Sequence, residues 1–279
     1  MNQAQEFHGL LNDICFKHLF SIEKHLKCLL RCCSFLKEYD LSNLKIDEQK
    51  YLKQFEYAHK AMYSDVVVDT GNIILDIEAQ TSFDLEALNK SKAYAHALSG
   101  YQLNHGNSYK NMKPLVQIIF AKNVLSKLKF SKEFLDHFHV MNDNLECYHS
   151  DDFHIYLIQV DKVQKEGYND NERFELLMEM MNADSLEQVK ELAKGDEGLM
   201  DMATEIEDFL YGKKAMDLFG DRKRFEEKYL EQGRSEGIEQ GRTQTQEENA
   251  RRMLQDHISS EDVAKYTGMS VEQVKKIEL

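Results

Sequence analysis

The sequence predicts an α/β protein: a mixed β-sheet flanked by helices, followed by a helical C-terminal region. Three observations predict it. The stretch Tyr63–Gln80, YSDVVVDTGNIILDIEAQ, has the pattern of a β-hairpin. The segment Pro114–Phe120 is a short continuous apolar run after the only Pro, as in a strand covered on both faces. From Asn171 onward, helical spacing and helix-capping residues replace strand patterns.

Residues 13–37 read as one helix, because Phe16, Leu19, Phe20, Ile22, Leu26, Leu29, Leu30, Cys33 and Leu36 recur at helical spacing. Asn12 or Asp13 would cap it. Residues 40–50 are polar and read as loop, with a short helix near Asp47. A first strand is expected around Phe55-Glu56-Tyr57. After the hairpin, Leu85–Leu103 reads as a helix with Leu85, Leu88, Tyr94, Ala95, Leu98 and Leu103 inward and Gly106 as its C-cap. Strands at 134–141 and 153–160 would extend the sheet. In the C-terminal region Ser185 caps a helix ending near Lys194, Gly195 and Gly198 flank a break, and another helix covers 199–210. Residues 221–252 form a charged helix with Gly233, Gly237 and Gly241 four apart, which suits close approach of a second helix or a frayed linker. Residues 257–279 outline a helix-turn-helix, with Ser259 or Ser260 as cap and Ser270 with Gln273 as a capping box.

The hairpin carries the chemistry. Gly71 and Asn72 tolerate the positive φ that a tight turn needs. Strand alternation places Asp76, Glu78 and Gln80 on one face and Ile73, Leu75 and Ile77 on the other. A turn centred on Thr70 and Gly71 brings Asp65 opposite Asp76, Ile77 or Glu78. Like charges opposed on a half-buried sheet are unfavourable, so their placement needs a reason. A hard divalent cation is one, since Mg²⁺ is held by one or two carboxylates plus water and phosphate oxygens. A solvated acidic face is the other.

The order of motifs resembles a known family. Asp65, a turn, then Glu78-Ala79-Gln80 on the next strand is similar to the signature of the PD-(D/E)XK nucleases, in its Gln-bearing form. With the opening Asp13-Ile14-Cys15-Phe16-Lys17, the following helix with Lys92-Ala93-Tyr94, the Gly-spaced helix and the ending SSEDVAKYTGMSVEQVKKI, the chain resembles the PD-(D/E)XK nuclease family transposases. The resemblance implies a restriction-endonuclease-like αβββαβ core over residues 1–165. A helical extension at 166–220, a linker helix at 221–252 and a small tail at 253–279 would follow. It implies a Mg²⁺-dependent DNA endonuclease linked to recombination or transposition. Asp65 and Glu78 would hold Mg²⁺ with the Ala79 carbonyl, and Gln80 would stand where most of the superfamily has Lys. Asp13, Lys17 and Lys92 would support the site. DNA is the implied partner, and the C-terminal helices are candidates for self-association. The alternative is a degenerate nuclease fold that binds DNA or itself through the tail.

Composition limits the rest. With 279 residues, 42% hydrophobic and 30% charged, the chain is long enough for a large core plus a small unit. No apolar run is long enough for a membrane span, and the N-terminus lacks a secretory pattern. Five cysteines without paired spacing suit a reducing cytoplasm. Cys147, His149, His137, His139 and His154 lack CxxC or HxxxH spacing, so a structural zinc site is not expected. The net charge of −14 disfavours a phosphate-binding surface, yet residues 83–130 carry Lys90, Lys92, Lys110, Lys113, Lys122, Lys127 and Lys129 against Asp84 and Glu86.

Overall fold

The first helical stretch is two helices rather than one. Helix α1 (Asp13–Phe20) begins at Asn12, whose side chain accepts the Ile14 N–H at 3.1 Å. It ends where the Ser21 hydroxyl bonds back to the Lys17 carbonyl and Ile22 turns extended. Helix α2 (Glu23–Cys32) then starts afresh and a single 3₁₀ turn, Ser34–Leu36, follows. Burial continues across the break through Leu26, Leu29 and Leu30, so apolar periodicity does not register one extended residue. The computed structural model describes residues 6–47, 64–102, 108–125, 133–142, 144, 147–148, 153–163 and 172–277.

Strand β1 is Lys45–Asp47, not a loop or short helix. Three residues are too few to show a period; pairing with β2 (Val66–Asp69) makes them a strand. The segment Phe55-Glu56-Tyr57 lies outside the described residues. β2 runs antiparallel to β3 (Ile74–Gln80), from Val66 opposite Ile77 to Asp69 opposite Ile74. The turn between them is closed by Thr70, which donates its N–H to Ile73 O and accepts the Ile73 N–H on Oγ1, both at 3.1 Å. Gly71 takes φ +94°, where a side chain would be strained; Asn72 does not share that conformation. Lys113 Nζ holds Asp69 at the rim at 2.6 Å.

Helix α3 (Leu85–Tyr101), capped by Asp84, carries the chain over the sheet to β4 (Leu115–Ala121), parallel to β3 and buried along its whole length. It buries Tyr94, Ala95 and Leu98, whereas Leu85 is 59% exposed, and its cap is Gln102; Gly106 lies outside the described residues. β5 (Leu135–His139) precedes the short pair β6 (Met141–Asn142) and β7 (Cys147–Tyr148). β8 (Phe153–Gln159) is parallel to β4 and antiparallel to β5, giving the sheet order β1-β2-β3-β4-β8-β5. Helices, the meander β1-β2-β3, α3 and β4 reproduce the αβββαβ order.

The two faces of the sheet are packed differently. Ile74 and Leu115 meet Ala95 and Leu98, so α3 covers the face that also bears Asp76, Glu78 and Gln117. α1 covers the other face, with Phe16 against Phe20 at 4.7 Å and Phe120 at 6.2 Å between ring centroids. Helices α4 (Glu172–Asn182) and α6 (Glu197–Tyr211) pack on α1 and α2, and α5 (Leu186–Ala193, capped by Ser185) packs on α4 and α6. Gly198 lies inside α6, not at a break: the Arg173 guanidinium occupies the space a Cβ would need. His18 stacks on Phe209, and His25 Nε2 meets Asp201 Oδ2 at 2.9 Å.

The chain divides into two compact units, Met1–Met216 and Asp217–Leu279. Most of the second is α7 (Lys213–Gln255), helical through its glycines; a Cβ at Gly237 or Gly241 would meet nothing within 4 Å. The tail holds α8 (Ser260–Thr267, capped by Ser259) and α9 (Val271–Lys275), joined by Gly268 at φ +72° and started by a capping box of Ser270 and Gln273. Val263, Ala264 and Val274 form a small core with Ala250 of α7.

Candidate active site

The hairpin register extends one residue beyond β2, and this sets the site. Asp65 falls opposite Glu78, and each residue's side chain reaches the other strand's backbone. Asp65 Oδ2 accepts the Ala79 N–H at 2.9 Å, and Glu78 Oε1 accepts the Asp65 N–H at 3.2 Å. Lys17, one turn into α1, places Nζ 3.2 Å from Asp65 Oδ1. Asp65 therefore joins the hairpin to the helix below it, with its carboxylate 8% exposed.

Asp76 and Glu78 are also buried, at 0% and 2% exposure. Gln117, directly beside Asp76 in the parallel register, donates Nε2 to Asp76 Oδ2 at 2.7 Å and to the Ser91 carbonyl of α3 at 3.2 Å. Pattern reading alone singles out neither the burial of Asp76 nor Gln117. Gln117 did carry a signal, since one polar residue in a strand covered on both faces must find a partner.

Crowding these acids disfavours their charges. Burial pushes Asp65 above the ordinary carboxylate range, while Lys17 and the Ala79 N–H pull it down. Burial raises Asp76 to about 6, opposed by Gln117 and Ser64 and reinforced by Asp65. Glu78 stands well above its ordinary value through burial, then through Asp76 and Asp65. Lys90 of α3 attracts both Asp76 and Glu78. Lys90 is exposed and its Nζ lies 5.2 Å from the Tyr94 ring centroid.

The other expected residues are placed as follows. Gln80 is half-buried at the end of β3. Asp13 occupies the first turn of α1, its Oδ1 accepting the Ile14 N–H at 2.9 Å, and its charge reaches Asp65. Lys92 is exposed on α3, and its carbonyl bonds His96. The basic stretch is partly neutralised: Lys113 pairs with Asp69 and Lys122 with Asp184. Lys127 and Lys129 lie outside the described residues.

The donors at the hairpin are hard oxygens, and their mutual repulsion is what a dication relieves. Among the described residues no three His, Cys, Asp or Glu side chains converge on one point. Asp65, Glu78 and the Ala79 carbonyl are the oxygens there that could hold a divalent metal. At the far sheet edge His137 Nε2 lies 2.9 Å from His154 Nδ1, a pair of rings and not a metal cage. Among the described residues no helix is long and apolar enough to cross a membrane.

Comparison with curated proteins and with solved structures finds no match. A family model, PD-(D/E)XK nuclease family transposase, matches residues 10–232, from the start of α1 through the sheet and into α7. With that match covering most of its length, the chain belongs to the PD-(D/E)XK nuclease family transposases.

Proposed function

We propose that the protein is a Mg²⁺-dependent DNA endonuclease that serves recombination or transposition. The observation that carries this reading is the crossed hairpin: two buried carboxylates, Asp65 accepting the Ala79 N–H and Glu78 accepting the Asp65 N–H, with Lys17 3.2 Å from Asp65. Bound there by Asp65, Glu78 and the Ala79 carbonyl, Mg²⁺ would polarise the phosphoryl oxygen and activate water. Gln80 positions the attacking water through its amide; it has no proton to exchange, so it is not a titrating base. Lys17 supplies the charge that Gln80 lacks. Lys90 takes the supporting role on α3 in preference to Lys92, because its charge is felt at Asp76 and Glu78. Asp13 tunes Asp65 electrostatically. Cys15, Cys28 and Cys33, none of them in a disulfide, support a cytoplasmic location. Leu230 and Ile238, exposed on α7, support self-association through the C-terminal helices.

Purified protein incubated with supercoiled DNA and Mg²⁺ should nick or linearise it, and Asp65→Ala and Glu78→Ala should each abolish this. Equal cleavage by all three proteins, or none by any, overturns the proposal. Gln80 favours one second reading, a nuclease fold that binds DNA without cutting it. DNA affinity unchanged by Mg²⁺ and by both substitutions would support that instead.

A further inference from the structure

One cluster of reactive side chains lies away from the hairpin, where α2 meets α4 and α6. Cys28 and Cys32 stand one turn apart on the same face of α2, at a spacing of four residues. Cys28 is half-buried, whereas Cys32 is 3% exposed. The Cys32 S–H donates a hydrogen bond to the Cys28 sulfur, so the two thiols are in contact with no disulfide between them.

Arg173 of α4 brings a cation to this pair. Its Nη2 donates to Asp196 Oδ1 at 2.8 Å, through the space a Cβ at Gly198 would fill, while its buried Nε has no acceptor among the described residues. Arg173 and Asp196 also line an open cleft of about 590 Å³ with Glu197 and Asp201, which admits small solutes to this end of α4. The hydrogen bond from Cys32 brings the Cys28 thiol down to about 7; burial and Asp196 oppose this, and Arg173 and Arg31 assist. Cys32 is pushed up by the same bond and by burial, and Cys33 by burial. The cluster thus pairs one nucleophilic sulfur with one proton-bearing sulfur.

We infer that Cys28 and Cys32 form a redox-sensing pair, in which a peroxide oxidises Cys28 and Cys32 then closes a reversible disulfide. The Cys28 thiolate attacks a peroxide oxygen. The S–O bond forms, the O–O bond breaks, and the departing hydroxide takes up the proton that Cys28 had released. Cys28 is then a sulfenic acid. The Cys32 sulfur attacks the Cys28 sulfur, the S–S bond forms, the S–O bond breaks, and hydroxide leaves with the Cys32 proton as water. Two thiols and one hydrogen peroxide give one disulfide and two waters. Helical spacing holds the two Cβ atoms about 5–6 Å apart and a disulfide needs about 3.5–4.5 Å, so the last turn of α2 must give way. It is free to do so, because α2 ends at Cys32 and Cys33 is already extended at ψ 91°. Strain makes the bond easily reduced, as a switch requires.

Tryptic mapping of the full chain tests this. The reduced protein, in chelator at about pH 7, is given equimolar hydrogen peroxide and alkylated under denaturing conditions. Trypsin cuts after Lys27, Arg31 and Lys37, so the bond should join the peptides Cys28–Arg31 and Cys32–Lys37. Fragmentation should place it on Cys32 and not on Cys33, and dithiothreitol should reverse it. Cys28 should react at least about tenfold faster than Cys15 and Cys33 in the same chain. Cys32→Ser should form no bond and leave a sulfenic acid on Cys28 that dimedone traps. Arg173→Gln should slow Cys28 about fivefold at pH 7 and much less at about pH 9.5, where the thiol ionises unaided; a merely loosened fold would speed it instead. The inference is overturned if Cys28 reacts no faster than Cys33, if it pairs with any cysteine but Cys32, if its sulfenic acid never closes, or if dithiothreitol does not reverse the product. The natural chain alone decides between these outcomes should Cys32→Ser fail to fold, and none of them bears on the nuclease reading.

Discussion

Replacing Lys17 by Met should unmask how strongly the site's acids depend on a helix-borne cation. Lys17 Nζ stands 3.2 Å from Asp65 Oδ1, and the two side chains are 32% and 8% exposed. At an effective dielectric constant of about 20, that separation corresponds to a gross attraction of about 5 kcal/mol. Desolvation of Asp65 and ordering of the long Lys side chain offset much of it, leaving a net coupling of about 1–3 kcal/mol. The loss is felt fully because Asp13 repels Asp65, and Asp65 in turn repels Asp76 and Glu78. Met preserves the packing of the aliphatic stem. The assay is urea unfolding of the metal-free protein in chelator, run as a double-mutant cycle. Lys17→Met should destabilise the natural chain by about 1–3 kcal/mol, but by only about 0.5 kcal/mol in an Asp65→Asn background. Equal costs in both backgrounds would refute the electrostatic reasoning. Added Mg²⁺ should shrink the cost in the natural background, because ligand binding to the folded state stabilises it by mass action. A real coupling that Mg²⁺ leaves unchanged would make the pair structural and count against metal at Asp65.

Two further outcomes follow from the fold. Phe16 is fully buried between Phe20 and Phe120, so Phe16→Ala should cost about 3–5 kcal/mol and lower the melting temperature by about 10 °C; a loss below about 1 kcal/mol would mean that α1 does not seal that face. His137 is pushed down to about 4, first by burial and then by His154 and His139. Its folded value lies below the unfolded one, so its contribution is present above about pH 6.5 and is lost as pH falls toward 4. The ring is substantially exposed, which limits the effect to about 1 kcal/mol. Urea midpoints at pH 7 and pH 4.5 should therefore differ less in His137→Gln than in the natural chain, and an unchanged difference would remove His137 from the account.

Where pattern and structure agree, the reason is local. The hairpin register follows from Gly71 and strand alternation, and β4 from an apolar run that admits no other burial. Capping at Ser185, Ser259 and Ser270 likewise depends only on neighbours in sequence. The misses are tertiary. β1 is a strand because β2 offers it a ladder, and α1 is separated from α2 by one extended residue at Ile22 that periodicity passes over. The candidate site divides along the same line. Asp65, Glu78 and Gln80 stand out because two of them are acids where acids are unfavourable. Gln117 and Lys90 reach the cluster from β4 and α3, and only the sheet order and the crossover bring them there.

That division bears on the substitution at Gln80. A lysine on the strand would set a cation among the acids by sequence alone. This chain instead draws charge from two helices, Lys17 from α1 on one side and Lys90 from α3 on the other. On the proposed reading the two are not equivalent. Lys17 is held in an ion pair with an acid that the metal must also use, so binding of the ion frees it to meet phosphate. Lys90 is exposed beside the Tyr94 ring, and its charge is felt at Asp76 and Glu78. On that reading a net charge of −14 is no obstacle, because the field at a phosphate bound there would be set chiefly by the nearest charges, Lys17 and Lys90 among them, and not by the total.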